Sequence, residues 1–302
     1  MIDFSPGGPV LSIRGREGLA ARPVGAENEM ISTILMATDG SEPAGAAERY
    51  AASLAARLRA RIQGISVVED RFARGFTEDG LGLAPPSTEA LAGYLKSRSD
   101  LALRRLGDRA RAEGGEYHSE ALQGIADDLV VERAQQADLL VLGRDGQHAR
   151  YRTGLVGSTA DGILRKTAKA ALVVPQGAQL SGPLLLAFDG SPGARVGATL
   201  AVHLATRLGE PIHVFVDSKD KGRAVARFDE VRSLVGALPV SVREISSTLG
   251  RPDVKIVDSA REVRASVIVM GAFGRNRITD YFIGSNASAV VRSSPIAVLV
   301  AR

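Results

Sequence analysis

The chain has 302 residues, of which 45 % are hydrophobic and 24 % charged, with a formal net charge of +4 and no cysteine. Such a length suits two ordinary domains, and the composition excludes a largely disordered chain. The missing thiols exclude disulfides, cysteine nucleophiles and Cys-ligated metal centres.

Residues 1–29 are rich in Gly, Pro, Arg and Ala without periodicity, and are expected to form a mobile extension. They carry no signal-peptide-like apolar core, and no run in the chain nears the roughly 20 apolar residues of a membrane-crossing helix. A cytoplasmic protein with no membrane partner is therefore expected. Residues 34–38 are a short apolar run, and Tyr50, Ala51, Leu54, Ala55 and Leu58 then recur at helical spacing. Strand 62–68 should follow, then a long helix that starts after Pro86, with Ser87 or Thr88 as N-cap, and stops at Gly114-Gly115. A strand over 117–122 and a helix over 125–134 come next. The apolar run 139–142 is typical of a strand buried on both faces. A helix from Ser158 and a strand over 171–174 close the series. Alternation of this kind means parallel crossovers in an open, doubly wound, Rossmann-like α/β sheet.

The series then repeats. ILMATDGSEPAGAAERY near residue 34 returns as LLLAFDGSPGARVGATL near residue 184, and at an offset of 150 the residues Asp39, Gly40, Ser41, Ala44, Ala51, Leu54, Ala55, Arg57 and Leu58 recur. Near the end of each copy the offset falls to 128, from Gly143 to Gly271, and then to 127, from Gly157 to Gly284. The second copy has thus lost about two dozen residues from its middle, where 71–95 has no counterpart, and should carry a shorter second helix. A period this long makes each copy a whole domain. The expected division is 1–29, 30–178 and 179–302. The apolar last strands, 171–174 and 296–300, should join the copies as an internal pseudo-dimer, because an unpaired apolar edge invites aggregation.

In an open parallel sheet, ligands bind beyond the carboxyl ends of the strands. Two motifs sit there in both copies. One is Asp39-Gly40-Ser41 and its mirror Asp189-Gly190-Ser191, in which glycine permits a sharp turn and serine can cap the next helix. The other is Gly143-x-x-Gly146, ten residues, then Gly157-Ser158, mirrored by Gly271-x-x-Gly274, nine residues, then Gly284-Ser285. Glycines let backbone amides approach anionic oxygens, and a helix N-terminus supplies the positive end of its dipole.

These motifs resemble those of the universal stress protein family, and the resemblance covers residues 31–302 as two fused domains. It implies an ATP-binding regulatory protein, with or without Mg, rather than a dedicated catalyst. By the same resemblance, Asp39 and Asp189 lie beside the nucleoside, and the backbones of Val67 and Val216 face the adenine edge. Gly143, Gly146, Gly157, Ser158 and Thr159 would hold phosphates in the first copy; Gly271, Gly274, Arg275, Gly284, Ser285 and Asn286 would do so in the second. The first loop is one residue longer than the family pattern, so the second site is expected to be the tighter. The alternative is a stress-family scaffold that has lost nucleotide binding in one or both copies.

Other chemistries find little support. No Walker loop, dinucleotide G-x-G-x-x-G or G-x-S-x-G elbow is present. His118, His148, His203 and His213 lack metal-ligand spacing. Basic residues are scattered beside acids and aromatics are 4 %, so no nucleic-acid partner is expected. Slow ATP hydrolysis ranks last, since no general base is evident beside the loops. An unidentified protein partner and a further homodimer remain compatible with these features.

Overall fold

The computed structural model describes residues 31–69, 88–146, 156–236, 242–247, 251–272 and 283–302; the extension 1–29 lies outside them. The first half runs β1 (Thr33–Ala37), α1 (Ala44–Leu58), β2 (Arg61–Val68), α2 (Thr88–Ala112), β3 (Tyr117–Gln123), α3 (Ala126–Ala134), β4 (Leu139–Gly143), α4 (Ser158–Lys166) and β5 (Ala171–Val174). The second runs β6 (Leu184–Ala187), α5 (Pro192–Leu208), β7 (Ile212–Asp217), α6 (Lys221–Val235), β8 (Val242–Ser247), α7 (Pro252–Glu262), β9 (Val267–Gly271), α8 (Ser285–Ser293) and β10 (Ala297–Ala301). The shortened second helix is seen as 25 residues in α2 against 15 in α6.

The described strands form one ten-stranded sheet in the order β3-β2-β1-β4-β5-β10-β9-β6-β7-β8. Read from either edge the order is the same for the two halves, so they are related by a pseudo-twofold at the centre. Every pairing is parallel except β5 with β10, which is antiparallel in the register Ala171↔Val300, Leu172↔Leu299 and Val173↔Val298. The halves therefore join through the apolar strands that close each copy, as an internal pseudo-dimer. The second of these strands begins one residue later than its apolar run.

Successive side chains in a strand point to opposite faces, and this divides the core in two. Met36, Val141, Leu172, Leu186, Val269 and Leu299 pack on α1, α2, α5 and α6; Leu35, Leu140, Val173, Leu185, Ile268 and Val298 pack on α3, α4, α7 and α8. Both cores run through both halves without a break. Burying each Val or Leu stabilises the fold by roughly 1.5–3 kcal/mol, so apolar contact dominates the seam. One buried polar contact fixes it further: the Tyr50 hydroxyl on α1 donates to the Ser266 carbonyl of the other half at 3.0 Å. Burial pushes that phenol far above its ordinary range, so it stays a neutral donor.

Candidate functional site

The two Asp-Gly-Ser turns have the same geometry. Gly40 and Gly190 adopt φ of +71° and +75°, the left-handed region that favours glycine. Asp39 Oδ1 accepts the Ser41 amide at 2.9 Å, and Asp189 Oδ1 accepts the Ser191 amide at 2.9 Å. Ser41 Oγ then accepts the Ala44 amide at 3.3 Å, and Ser191 Oγ accepts the Ala194 amide at 3.2 Å, which caps α5. Each turn thus holds its carboxylate at the carboxyl end of the sheet.

The glycine loops come back to the same point. Gly157 donates its amide to the Arg144 carbonyl at 3.0 Å, and Gly284 donates to the Ala272 carbonyl at 2.7 Å. Gly157 and Gly284 are the N-caps of α4 and α8 and bring no side-chain cap. Ser158, Thr159, Ser285 and Asn286 are exposed on the first turns of these helices. The amides of those turns are suited to an anionic acceptor. In the first half Asp39, Gly146 and Gly157 converge: a Cβ on Gly146 would lie 3.7 Å from Asp39 Oδ2, and one on Gly157 would lie 3.6 Å from the Gly146 nitrogen. Gly143 and Gly271 end β4 and β9 beneath the loops. Gly274 and Arg275, with His148, lie outside the described residues.

Two sequence readings change in the structure. Val67 and Val216 are not equivalent. Thr38 donates to the Ile65 carbonyl, so in β2 the backbones of Ile65 and, two residues on, Val67 face the β1 side, where β1 has already ended. In β7 the matching bond runs from Phe188 to the Phe215 carbonyl, which puts Asp217 at the open position. Val216 turns its backbone toward β8, and its side chain lines the cavity described below. The second change concerns the first glycine loop, expected only to hold phosphates, where Arg144 takes a structural part. Its guanidinium is held by both carboxylate oxygens of Asp145 at 3.0 Å and donates across the seam to the Ser294 carbonyl at 2.6 Å. Asp145 also accepts the Gln176 amide at 3.2 Å. These two residues tie the first loop to the C-terminal end of α8. Arg144→Ala is expected to lower global stability by about 1.5–3 kcal/mol, the scale of a charge-assisted hydrogen bond, as read by urea denaturation; an unchanged midpoint would show that the bridge carries nothing.

The environments beneath the two turns differ. In the first half Glu48 is fully buried on α1 and collects Thr38 Oγ1 at 2.6 Å, Arg105 Nε at 2.8 Å and Arg105 Nη2 at 2.5 Å, together with Arg109. Thr38 Oγ1 in turn accepts the Gly40 amide at 3.2 Å. The hydrogen bond that Arg105 donates to Glu48 holds the guanidinium above its ordinary value, although burial opposes this. In the second half, at the same repeat offset, Phe188 and Ala198 replace Thr38 and Glu48, and both are buried.

A cavity of about 510 Å³ opens over the second turn, lined by Phe188, Asp189, Val216, Asp217, Arg223 and Arg227 together with 218–220. That volume falls within the usual range for small-molecule sites. Arg98, which donates to the Asp39 carbonyl at 2.8 Å, and Arg223 and Arg227 were not apparent as site residues in the sequence. They sit on α2 and α6, where the repeat is weakest. Among the described residues there is no group of three or more His, Asp or Glu able to hold a metal ion. No described helix is long and apolar enough to cross a membrane.

Strand-end turns, glycine loops and uncapped helix starts on an open sheet define a Rossmann-like α/β protein, present here twice. The model of the universal stress protein family matches residues 30–175 and again 182–302. The chain belongs to that family. A universal stress protein of Synechocystis sp. is 25 % identical over 297 residues, covering 90 % of this chain and all of that protein. One from Methanocaldococcus jannaschii is 30 % identical over 143 residues, 47 % of this chain and 80 % of that protein. The crystal structure of a universal stress protein from Archaeoglobus fulgidus superposes over 90 % of this chain and 98 % of its own, with a TM-score of 0.73 at 19 % identity.

Proposed function

We propose that this chain is a cytoplasmic regulatory protein that binds an adenine nucleotide, ATP in the first instance, with its second half as the tighter site. The carrying observation is the cavity over Asp189, formed at the ends of β6 and β7. Asp189 and Asp217 suit ribose hydroxyls; the amides of Ser285 and Asn286 suit phosphates, which Gly271 and Gly284, lacking side chains, leave room to approach. Gly274 and Arg275 join them by family resemblance. Mg would be carried chiefly by the phosphates. In the first half Asp39, Val67, Gly143, Gly146, Gly157, Ser158 and Thr159 form the corresponding set. There the engagement of Arg144 and Asp145 at the seam favours a mainly structural loop and weaker binding. The units proposed are 30–178 and 179–302, after an extension over 1–29. Nucleotide occupancy would change a surface that a protein partner reads.

Native mass spectrometry of the purified chain, followed by calorimetry with ATP, tests this. The expected result is retained adenine nucleotide near one per chain, and one site that titrates before the other. A chain that arrives empty and gives no heat with ATP, ADP or AMP would leave the scaffold alternative standing.

A further inference from the structure

We propose that Arg227 is a ligand-binding residue of the second half, with its guanidinium reading a phosphate oxygen, so that this half selects phosphorylated adenosine over adenosine itself. The inference rests on the nucleotide reading above and assigns a role to a residue outside the repeated motifs. Arg227 lies across Gly190: a Cβ on that glycine would fall 1.8 Å from Nη1 and 2.2 Å from Cζ, so the guanidinium fills the space a side chain would take. It is held there by one contact to a carboxylate, Nη1 to Glu230 Oε2 at 2.9 Å. Glu230 is itself shared, since it also accepts Arg195 Nε at 2.5 Å. One carboxylate therefore answers two guanidinium groups.

The Nε of Arg227 is buried and has no hydrogen-bond partner among the described residues. A buried donor without an acceptor is costly, and native structures keep few of them. Arg227 also lines the cavity over Asp189, beside Arg223 and Lys219. An acceptor entering that cavity would meet the guanidinium that lines it, and a phosphate matches the planar fork of a guanidinium better than a neutral group does. The acids on the cavity wall, Asp189, Asp217 and Asp220, would repel a phosphate but accept hydroxyls, which orients a nucleotide with its sugar toward them. The first half is built differently. A Cβ on Gly40 would meet the Ala102 Cβ at 3.0 Å, and no guanidinium lies over that glycine at comparable range.

The test titrates the full chain with adenosine, AMP and ATP, comparing the native protein with Arg227→Ala and Arg227→Gln. Circular dichroism and the urea midpoint verify folding of each variant. Loss of a charge-assisted contact should weaken AMP and ATP at the tighter site about tenfold or more, while adenosine changes by less than about twofold. Equal weakening of all three ligands would reduce Arg227 to a packing residue and overturn the proposal. So would unchanged affinities in both variants, with the nucleotide reading left intact. If the native chain binds none of the three, both this inference and the reading beneath it fail. Should Arg227→Ala unfold, the Gln variant, which keeps most of the side-chain volume, decides the outcome alone.

Discussion

Gly271→Ala is expected to destabilise the protein by about 2–3 kcal/mol, while Gly143→Ala, its repeat partner, changes stability by less than about 1 kcal/mol. Both glycines end the fourth strand of their half. A Cβ on Gly271 would fall 2.7 Å from the Ala194 nitrogen and 2.9 Å from the Gly193 carbonyl carbon, both backbone atoms of the first turn of α5. Neither can yield without moving the helix start that Ser191 caps. A Cβ on Gly143 has its nearest neighbours at 3.6–3.8 Å, an ordinary contact distance. Parallel urea denaturation of the two variants would check the contrast. Equal losses would mean that the close approach of β9 to α5 relaxes freely. If the second half is also the tighter nucleotide site, Gly271→Ala should weaken ATP binding as well, because the displaced helix start follows directly on the turn that carries Asp189.

Glu48→Gln should cost about 3–5 kcal/mol, the range found when one partner of a buried ion cluster is removed. The carboxylate is shielded from water and serves Arg105, Arg109 and Thr38 together. The amide would keep the shape but leave two cations facing a neutral group, with an NH₂ that cannot accept from Arg109 or Arg105. Because Thr38 also receives the Gly40 amide, the loss should extend to the Asp39 turn. Equilibrium unfolding in urea supplies the number, and a cost below about 1 kcal/mol would show that water repairs the cluster. The second half shows that such a network is not required by the fold. Phe188 and Ala198 fill the same repeat positions with apolar groups.

Much of the architecture was legible because it depends on short-range pattern. The repeat placed both Asp-Gly-Ser turns, and the double-sided burial of 139–142 and 171–174 left little choice but central strands. What escaped depends on long-range register. Family resemblance alone points to Val216, yet whether a backbone faces β6 or β8 alternates with every residue and is settled by the pairing of Phe215 with Ala187. Arg227 escaped for a related reason. The helices α2 and α6 have no common repeat, so nothing in sequence says which of their many arginines lies over a strand end. The seam role of Arg144 was equally hidden, since its acceptor, the Ser294 carbonyl, is 150 residues away. The scaffold was written locally, whereas the polar contacts that differentiate the halves were not.

The antiparallel pairing at the centre of the sheet has a consequence for how the protein comes into being. Strand β10 leaves the ribosome after the other nine described strands. Until it emerges, β5 must wait with its inner edge open, although each of its four residues is only 1 % exposed in the folded protein. Translation runs at about 5–20 residues per second, so the more than 120 residues between the two strands keep that edge bare for several seconds or longer. A neighbouring nascent chain at the same stage offers the same edge. Intermolecular pairing in place of the native partner would produce an exchanged dimer. Fusion of the two domains makes their union independent of concentration once synthesis is complete, and it moves the hazard to the interval before.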